Sequence, residues 1–379
     1  MRALIIHGAL MMMAGTASAA EAEREAFGTL DDGRAVEAVV LSNGNGIEAR
    51  IITLGATLQS LKAPDADGEF DDIVLGYDDA ASYLANPQYF GATIGRYANR
   101  IAEGRFELDG ETYDLIQNEG TNTLHGGTDG FDKRLWTIAD VEDGRRRSSV
   151  TMTYESPAGE MGFPGTLTAT VTYTLTESNE LRIEHEATTD APTIVNLTNH
   201  SFFNLSGHEA MESVLDQELT LVASRYTPVN ENLIPTGEVV QVEGTPFDFT
   251  QAMRIGDRIR AGANEQLRIA RGYDHNFVLD GRSGRLRLAA RVEDPVSGRV
   301  LEVLSDQPAI QFYSGNFLDG TVVGKADTIY RQGDGLCLEP QTYPNSPNEP
   351  DFPSARLDPG ETYRNVMVVR MSAEERGGE

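Results

Sequence analysis

The chain has 379 residues, with 31 basic side chains against 59 acidic ones and a net charge of −28. So acidic a surface repels phosphate backbones and anionic lipids, which argues against nucleic acid or membrane partners. A single cysteine, Cys337, rules out an intramolecular disulfide, so stability has to come from a large core rather than from covalent staples.

In chain order, residues 1–19 read as an export signal. Arg2 supplies the positive start, Ala3 to Gly15 the apolar stretch, and Ala17-Ser18-Ala19 a small-x-small cleavage site. The stretch falls short of the roughly 20 apolar residues that a membrane span needs. The expectation is a periplasmic or secreted protein that starts near Ala20. Residues 20–379 show no linker, low-complexity tract or repeat and read as a single domain, built almost throughout from strands.

The segment NGNGIEA (43–49) contains G-x-G-x-x-A, but the β-like run ARIITLG follows where a nucleotide site needs a helix, so a hairpin turn is expected. RFELDGETYDL (105–115) is a second hairpin, with Asp109-Gly110 at its turn and Phe106 opposite Tyr113. In GTLTATVTYTLT (165–176), Leu167, Ala169, Val171, Tyr173 and Leu175 share one face and threonines fill the other, a period of two. LRIEHEA (181–187) alternates again, placing His185 on the apolar face. DFTQAMRIGDRI (248–259) is the one stretch with the periodicity of a short helix. RLRLAARVEDPVSGRVLEVLS (285–305) is a third hairpin turning at Asp294 to Gly298, and TYRNVMVVRM (362–371) is the closing strand. The fold class is all-β, a large antiparallel β-sandwich.

Candidate chemistry begins with histidines. His125 in NTLHGG, His200 in NLTNHSFFNL and His275 in GYDHNF sit where strand-like runs meet Gly, Asn or Asp, the edges on which sites are built. His185 reads as a core residue and His208 as a loop residue. No Cys/His ligand spacing, H-E-x-x-H or G-x-S-x-G occurs, so neither a metal nor a cofactor is expected. Cys337, in the apolar run GLCLEP, reads as a small buried hydrophobe.

Six blocks in order carry a family resemblance: TIGRYANRI (93–101), NTLHGG (122–127), NLTNHSFFNL (196–205), GYDHNFVL (272–279), IQFYSGNFLDG (310–320) and LEPQTYPNSPNEPDFPSARLDPGETY (338–363). In these the chain resembles the aldose 1-epimerases, or galactose mutarotases. The resemblance implies a β-supersandwich with an open cleft that interconverts the α and β anomers of a free aldohexose such as galactose or glucose. It implies no cofactor or metal, and a monomer or homodimer. It also implies Glu339 as general base and His200 as general acid, with His125 flanking the reacting end. Asn99, Arg100, Asp274 and Gln311 match positions that hold sugar hydroxyls, and His275 would pack or orient Asp274. Residue chemistry agrees, because hydroxyls both donate and accept, and a carboxylate with an imidazole can move two protons near neutrality. The pair would work near neutral pH if an adjacent carboxylate raised the histidine pKa.

Two positions depart from the family pattern. Phe202 stands where a tyrosine is usual, two residues after His200, and Thr342 where His or Asn is common. Both affect substrate preference more than chemistry. Two competing readings are a non-catalytic sugar-binding protein and a glycoside hydrolase or lyase using Asp274 and Glu339 as its carboxylate pair.

Overall fold

The structure is a computed structural model that describes residues 20–86, 88–210 and 212–374; the expected export signal lies outside them. The alternating segments behave as their period dictates. Leu167, Ala169, Val171, Tyr173 and Leu175 turn into the core from the strand Leu167–Thr176, and Leu181, Ile183, His185 and Ala187 do the same from Glu180–Thr189. These two strands pair antiparallel over nearly their whole length and lie third and fourth in a nine-stranded sheet. The closing strand, Tyr363–Ala373, bridges Glu180–Thr189 to Arg299–Ser305, whose hairpin partner Arg287–Glu293 comes next.

A six-stranded antiparallel sheet holds the site, and its centre is Asp274–Val278, Ala309–Tyr313 and Leu336–Gln341. Every residue of these three strands is buried, so both faces are covered. One face presents Phe277, Ile310, Phe312, Leu336 and Leu338 to the main core, where they meet Val171, Tyr173, Ile183 and Val303 of the nine-stranded sheet. Strand alternation then commits Asp274, Gln311, Tyr313, Cys337 and Glu339 to the opposite face. An amino-terminal five-stranded sheet runs from Glu21–Thr29 to Phe70–Asp72 and adds Val39, Leu41, Ile51 and Leu58 to the same core.

The hairpin expectations hold. Phe106 pairs with Tyr113, with Asp109 and Gly110 both at positive φ in the turn, as a type I′ connection requires. Ala35–Ser42 and Glu48–Ile52 pair across the NGNG turn. The stretch near Asp248 yields one helical turn, Gly256–Ile259, at its end. Two further short helices, Ala80–Ala85 and Glu265–Ala270, begin at the side-chain caps Asp79 and Asn264; the periodicity gave no sign of them. Trp136 is buried, its ring nitrogen donating to the Phe131 carbonyl at 3.2 Å. That makes it a core residue.

Phe312 lies at the centre of the face-to-face packing, its ring 5.3 Å from that of Tyr273 and 5.6 Å from that of Phe249. Phe312→Ala should lower the unfolding free energy by about 3–5 kcal/mol, the usual cost of truncating a buried phenylalanine. Urea denaturation followed by fluorescence measures it, and a shift below about 1 kcal/mol would mean the two sheets do not share this core.

Candidate active site

On its second face the six-stranded sheet floors a cleft of about 200 Å³, a space suited to one small polar molecule. The floor contributes Asp274, Tyr313 and Glu339, the segment after Asn199 contributes His200 and Phe202, the short strand Arg100–Ile101 contributes Arg100, and connecting loops contribute Tyr89, Asn99, Glu119 and His125. Residues from all six sequence blocks thus meet in one place.

His125 and Asn99 lock each other through the main chain. The His125 N–H donates to the Asn99 carbonyl at 3.0 Å, and the Asn99 N–H donates to His125 Nδ1 at 3.2 Å. With Nδ1 accepting, the neutral ring carries its proton on Nε2. Both residues have positive φ. Gly126, at φ 86°, follows from this, because a Cβ there would lie 2.1 Å from the Gly95 carbonyl oxygen.

Arg100 is almost wholly buried. Its Nε and Nη2 donate to the two Glu119 carboxylate oxygens at 2.6 and 2.7 Å, and Nη1 lies 3.8 Å from Asp274 Oδ2. Asp274 Oδ1 accepts from Gln311 Nε2 at 2.7 Å, and Gln311 Oε1 accepts from Gln341 at 3.4 Å. Gln311 therefore stands behind Asp274 with its amide turned to that carboxylate and to Gln341. His275 turns away from the cleft: its Nδ1 accepts from the Asp274 N–H at 3.1 Å, and its ring packs on Phe247 and Tyr226. It thus packs in the core and touches its neighbour through the Asp274 main chain.

Across the floor, His200 Nε2 lies 3.7 Å from Glu339 Oε2, and that oxygen is buried with no hydrogen-bond partner. His200 Nδ1 lies 3.6 Å from Cys337 Sγ. Among the described residues, His200, Cys337 and Glu339 form the one group of three whose ligand atoms converge closely enough to suggest a metal. The geometry does not favour one, because the thiol and the carboxylate face different nitrogens of one imidazole, whereas an ion takes a single nitrogen.

Burial dominates the electrostatics. It pushes the His200 pKa down to about 4 and holds His125 well below the usual histidine value, the latter helped by His200 and Arg100. It pushes Glu339 well above the carboxylate range, with the Asp274 charge adding and Arg100 opposing. Asp274 is raised by burial against the pull of Arg100 and Gln311. The expectation that a neighbouring carboxylate would raise the histidine pKa is therefore corrected. Desolvating both members of a buried pair outweighs what a 3.7 Å contact returns.

The sequence reading did not single out Tyr89, Glu119, Tyr313 or Phe317 as cleft residues. Tyr89 packs its ring 4.6 Å from that of His125, and Phe317 stacks on Tyr313 at the mouth, 38% exposed. Tyr313 and Phe317 lie inside IQFYSGNFLDG, where the block itself was the available signal. Glu119 lies outside every block. The Phe202 ring lies 5.1 Å from that of His200 and meets Phe90 edge-on at 4.8 Å, giving this wall an apolar surface. Thr342 is buried off the cleft, its N–H donating to Asn196 Oδ1.

The sequence model described as aldose 1-epimerase matches residues 37–370. Galactose mutarotase of Sus scrofa is 44% identical over 343 residues, which is 90% of this chain and 96% of that protein. Aldose 1-epimerase of Escherichia coli K12 is 39% identical over 345 residues, 90% of this chain and 97% of that one. Galactose 1-epimerase from Lactobacillus acidophilus superposes with a TM-score of 0.82 at 28% identity, over 94% of this chain and 99% of that chain.

Because burial favours neutral imidazoles, neither His125 nor His200 should carry a second proton at neutral pH. On lowering the pH, ring NMR signals of His200 should move only near pH 4. A His200 midpoint at or above its ordinary value of 6.5 would overturn the electrostatic account.

Proposed function

As the chain belongs to the aldose 1-epimerase family, we propose that it interconverts the α and β anomers of a free aldose sugar, with Glu339 and His200 moving the two protons. The observation that carries this reading is their 3.7 Å approach on the floor of a cleft walled by Asn99, Arg100, His125 and Asp274. A pure binder has no use for such a pair. The hydroxyl-binding groups surround it: Arg100 and Asp274 hold each other, and the His125 Nε2–H is free of the Asn99 lock.

In the ring-opening step Glu339 takes the proton of the C1 hydroxyl while His200 gives one to the ring oxygen. The C1–O5 bond breaks, its electron pair goes to the ring oxygen, and C1 becomes an aldehyde. Rotation about C1–C2 offers the other carbonyl face, and both transfers reverse on closure. Carbon oxidation states are the same before and after, so the reaction itself calls for no electron carrier. The pair needs one proton in total. With burial lowering His200 and raising Glu339, that proton rests on the carboxyl in the empty cleft. The working arrangement, Glu339 ionised and His200 protonated, is the same proton count redistributed within the pair.

Relatives named galactose mutarotase make galactose the first sugar to test, with glucose beside it. Polarimetry on freshly dissolved α-anomers reads the reaction, and release of new reducing ends from an oligosaccharide would instead support a hydrolase. Since general acid–base help is worth about 10²- to 10⁴-fold, Glu339→Gln and His200→Asn should each lose at least that much kcat, and the double variant little more. Retention of more than about a tenth of wild-type kcat by folded Glu339→Gln would rule the mechanism out. The pH profile of kcat/KM should be a bell. Activity falls below about pH 4, where His200 gains a second proton for the pair, and falls on the alkaline side, where Glu339 loses the only one.

Export is part of the proposal and rests on residues 1–19. N-terminal sequencing of protein from a periplasmic extract or culture medium should begin at or near Ala20. An intact Met1 on cytoplasmic protein would refute it.

A further inference from the structure

We propose that Cys337 is a positioning residue for His200: its thiol holds the far side of the imidazole so that the opposite ring nitrogen faces Glu339 and the cleft. The inference deepens the acid–base pair proposed above and rests on it. Cys337 Sγ lies 3.6 Å from His200 Nδ1, while Nε2 of the same ring lies 3.7 Å from Glu339 Oε2. Register builds this arrangement. Cys337 and Glu339 are two residues apart on one strand and so share a face. Phe202, two residues beyond His200, pairs directly with Cys337, which brings the chain bearing the imidazole beside the sulfur.

A thiol is a weak donor and a weak acceptor, so it can serve both protonation states of the ring. Against neutral His200 the sulfur accepts from Nδ1–H, which leaves Nε2, the nitrogen facing Glu339 and the sugar, bare to take up the proton that it later gives to the ring oxygen. The imidazolium keeps the same Nδ1–H contact to sulfur. A carboxylate in this place would also orient the ring, but it would stabilise the imidazolium and raise its basicity. The thiol orients without that effect, leaving the protonated ring a strong enough acid to protonate a sugar ring oxygen. Burial, reinforced by Glu339 and Asp274, keeps Cys337 in its thiol form. The other titratable groups facing His200 are Glu339, His125 and Tyr89.

Nitrogen NMR of ¹⁵N-histidine-labelled wild-type protein at pH 7 tests the contact directly, with His200 assigned by its absence in His200→Asn. The expected result is a protonated, hydrogen-bonded Nδ1 and an unprotonated Nε2; the opposite tautomer overturns the proposal. In the kinetic arm, Cys337→Ala should lower kcat about tenfold, the worth of one ordinary hydrogen bond, with KM changed less than about twofold. Cys337→Ser, whose hydroxyl also donates and accepts, should recover most of the loss. A folded Cys337→Ala protein with wild-type kcat and an unchanged His200 tautomer overturns the proposal. If Cys337→Ala does not fold, the wild-type tautomer and the kcat of Cys337→Ser decide. Full activity in Glu339→Gln would remove the acid–base pair while leaving the tautomer result standing, so the two readings fail separately.

Discussion

Three strands buried on both faces govern this molecule: Asp274–Val278, Ala309–Tyr313 and Leu336–Gln341. The polar side chains they must carry are stripped of water before any substrate arrives. Stripping a carboxyl or an imidazole of water makes its charged form costly, and the site is arranged around that cost. Its carboxylates and cation are tied in a chain, Glu119 to Arg100 to Asp274 to Gln311 to Gln341. Its proton-moving groups are left with little support. Glu339 Oε2 has no partner, and His200 has a thiol and a distant carboxylate.

This division separates holding from reacting. Arg100 keeps its charge because Asp274 and Glu119 outweigh the burial that opposes it, so it can present a fixed dipole to hydroxyls. Glu339 and His200 have no such compensation, and their proton is free to move between them and a bound sugar. Preorganised donors around movable protons are the general means by which buried sites stabilise developing charge.

Much of this was legible in the sequence, and the limits have physical causes. Period-two alternation disclosed Leu167–Thr176 and Glu180–Thr189 because one of their faces is wetter than the other. It could not disclose Asp274–Val278 or Leu336–Gln341, since strands covered on both sides carry no such contrast. There the motif blocks located the site instead, and the cleft gathers Asn99, Arg100, His125, His200, Asp274 and Glu339 from them. Glu119 escaped notice because its importance lies in a contact with Arg100, 19 residues away, which composition does not encode. The direction of the His200 shift was misjudged for a related reason. Neighbouring charges can be guessed from a motif, but the depth of burial that opposes them belongs to the fold.

The reciprocal lock between Asn99 and His125 has a consequence for turnover. These residues are 26 positions apart, and closing the intervening loop is an entropic cost met at folding. A sugar entering the cleft finds this wall already set and does not have to order it. An enzyme that equilibrates two nearly equivalent isomers gains nothing from gripping either one, since tight binding of both would slow release in both directions. A wall rigid beforehand can recognise its substrate through few contacts and still let it go, so this catalyst can work without closing over its substrate.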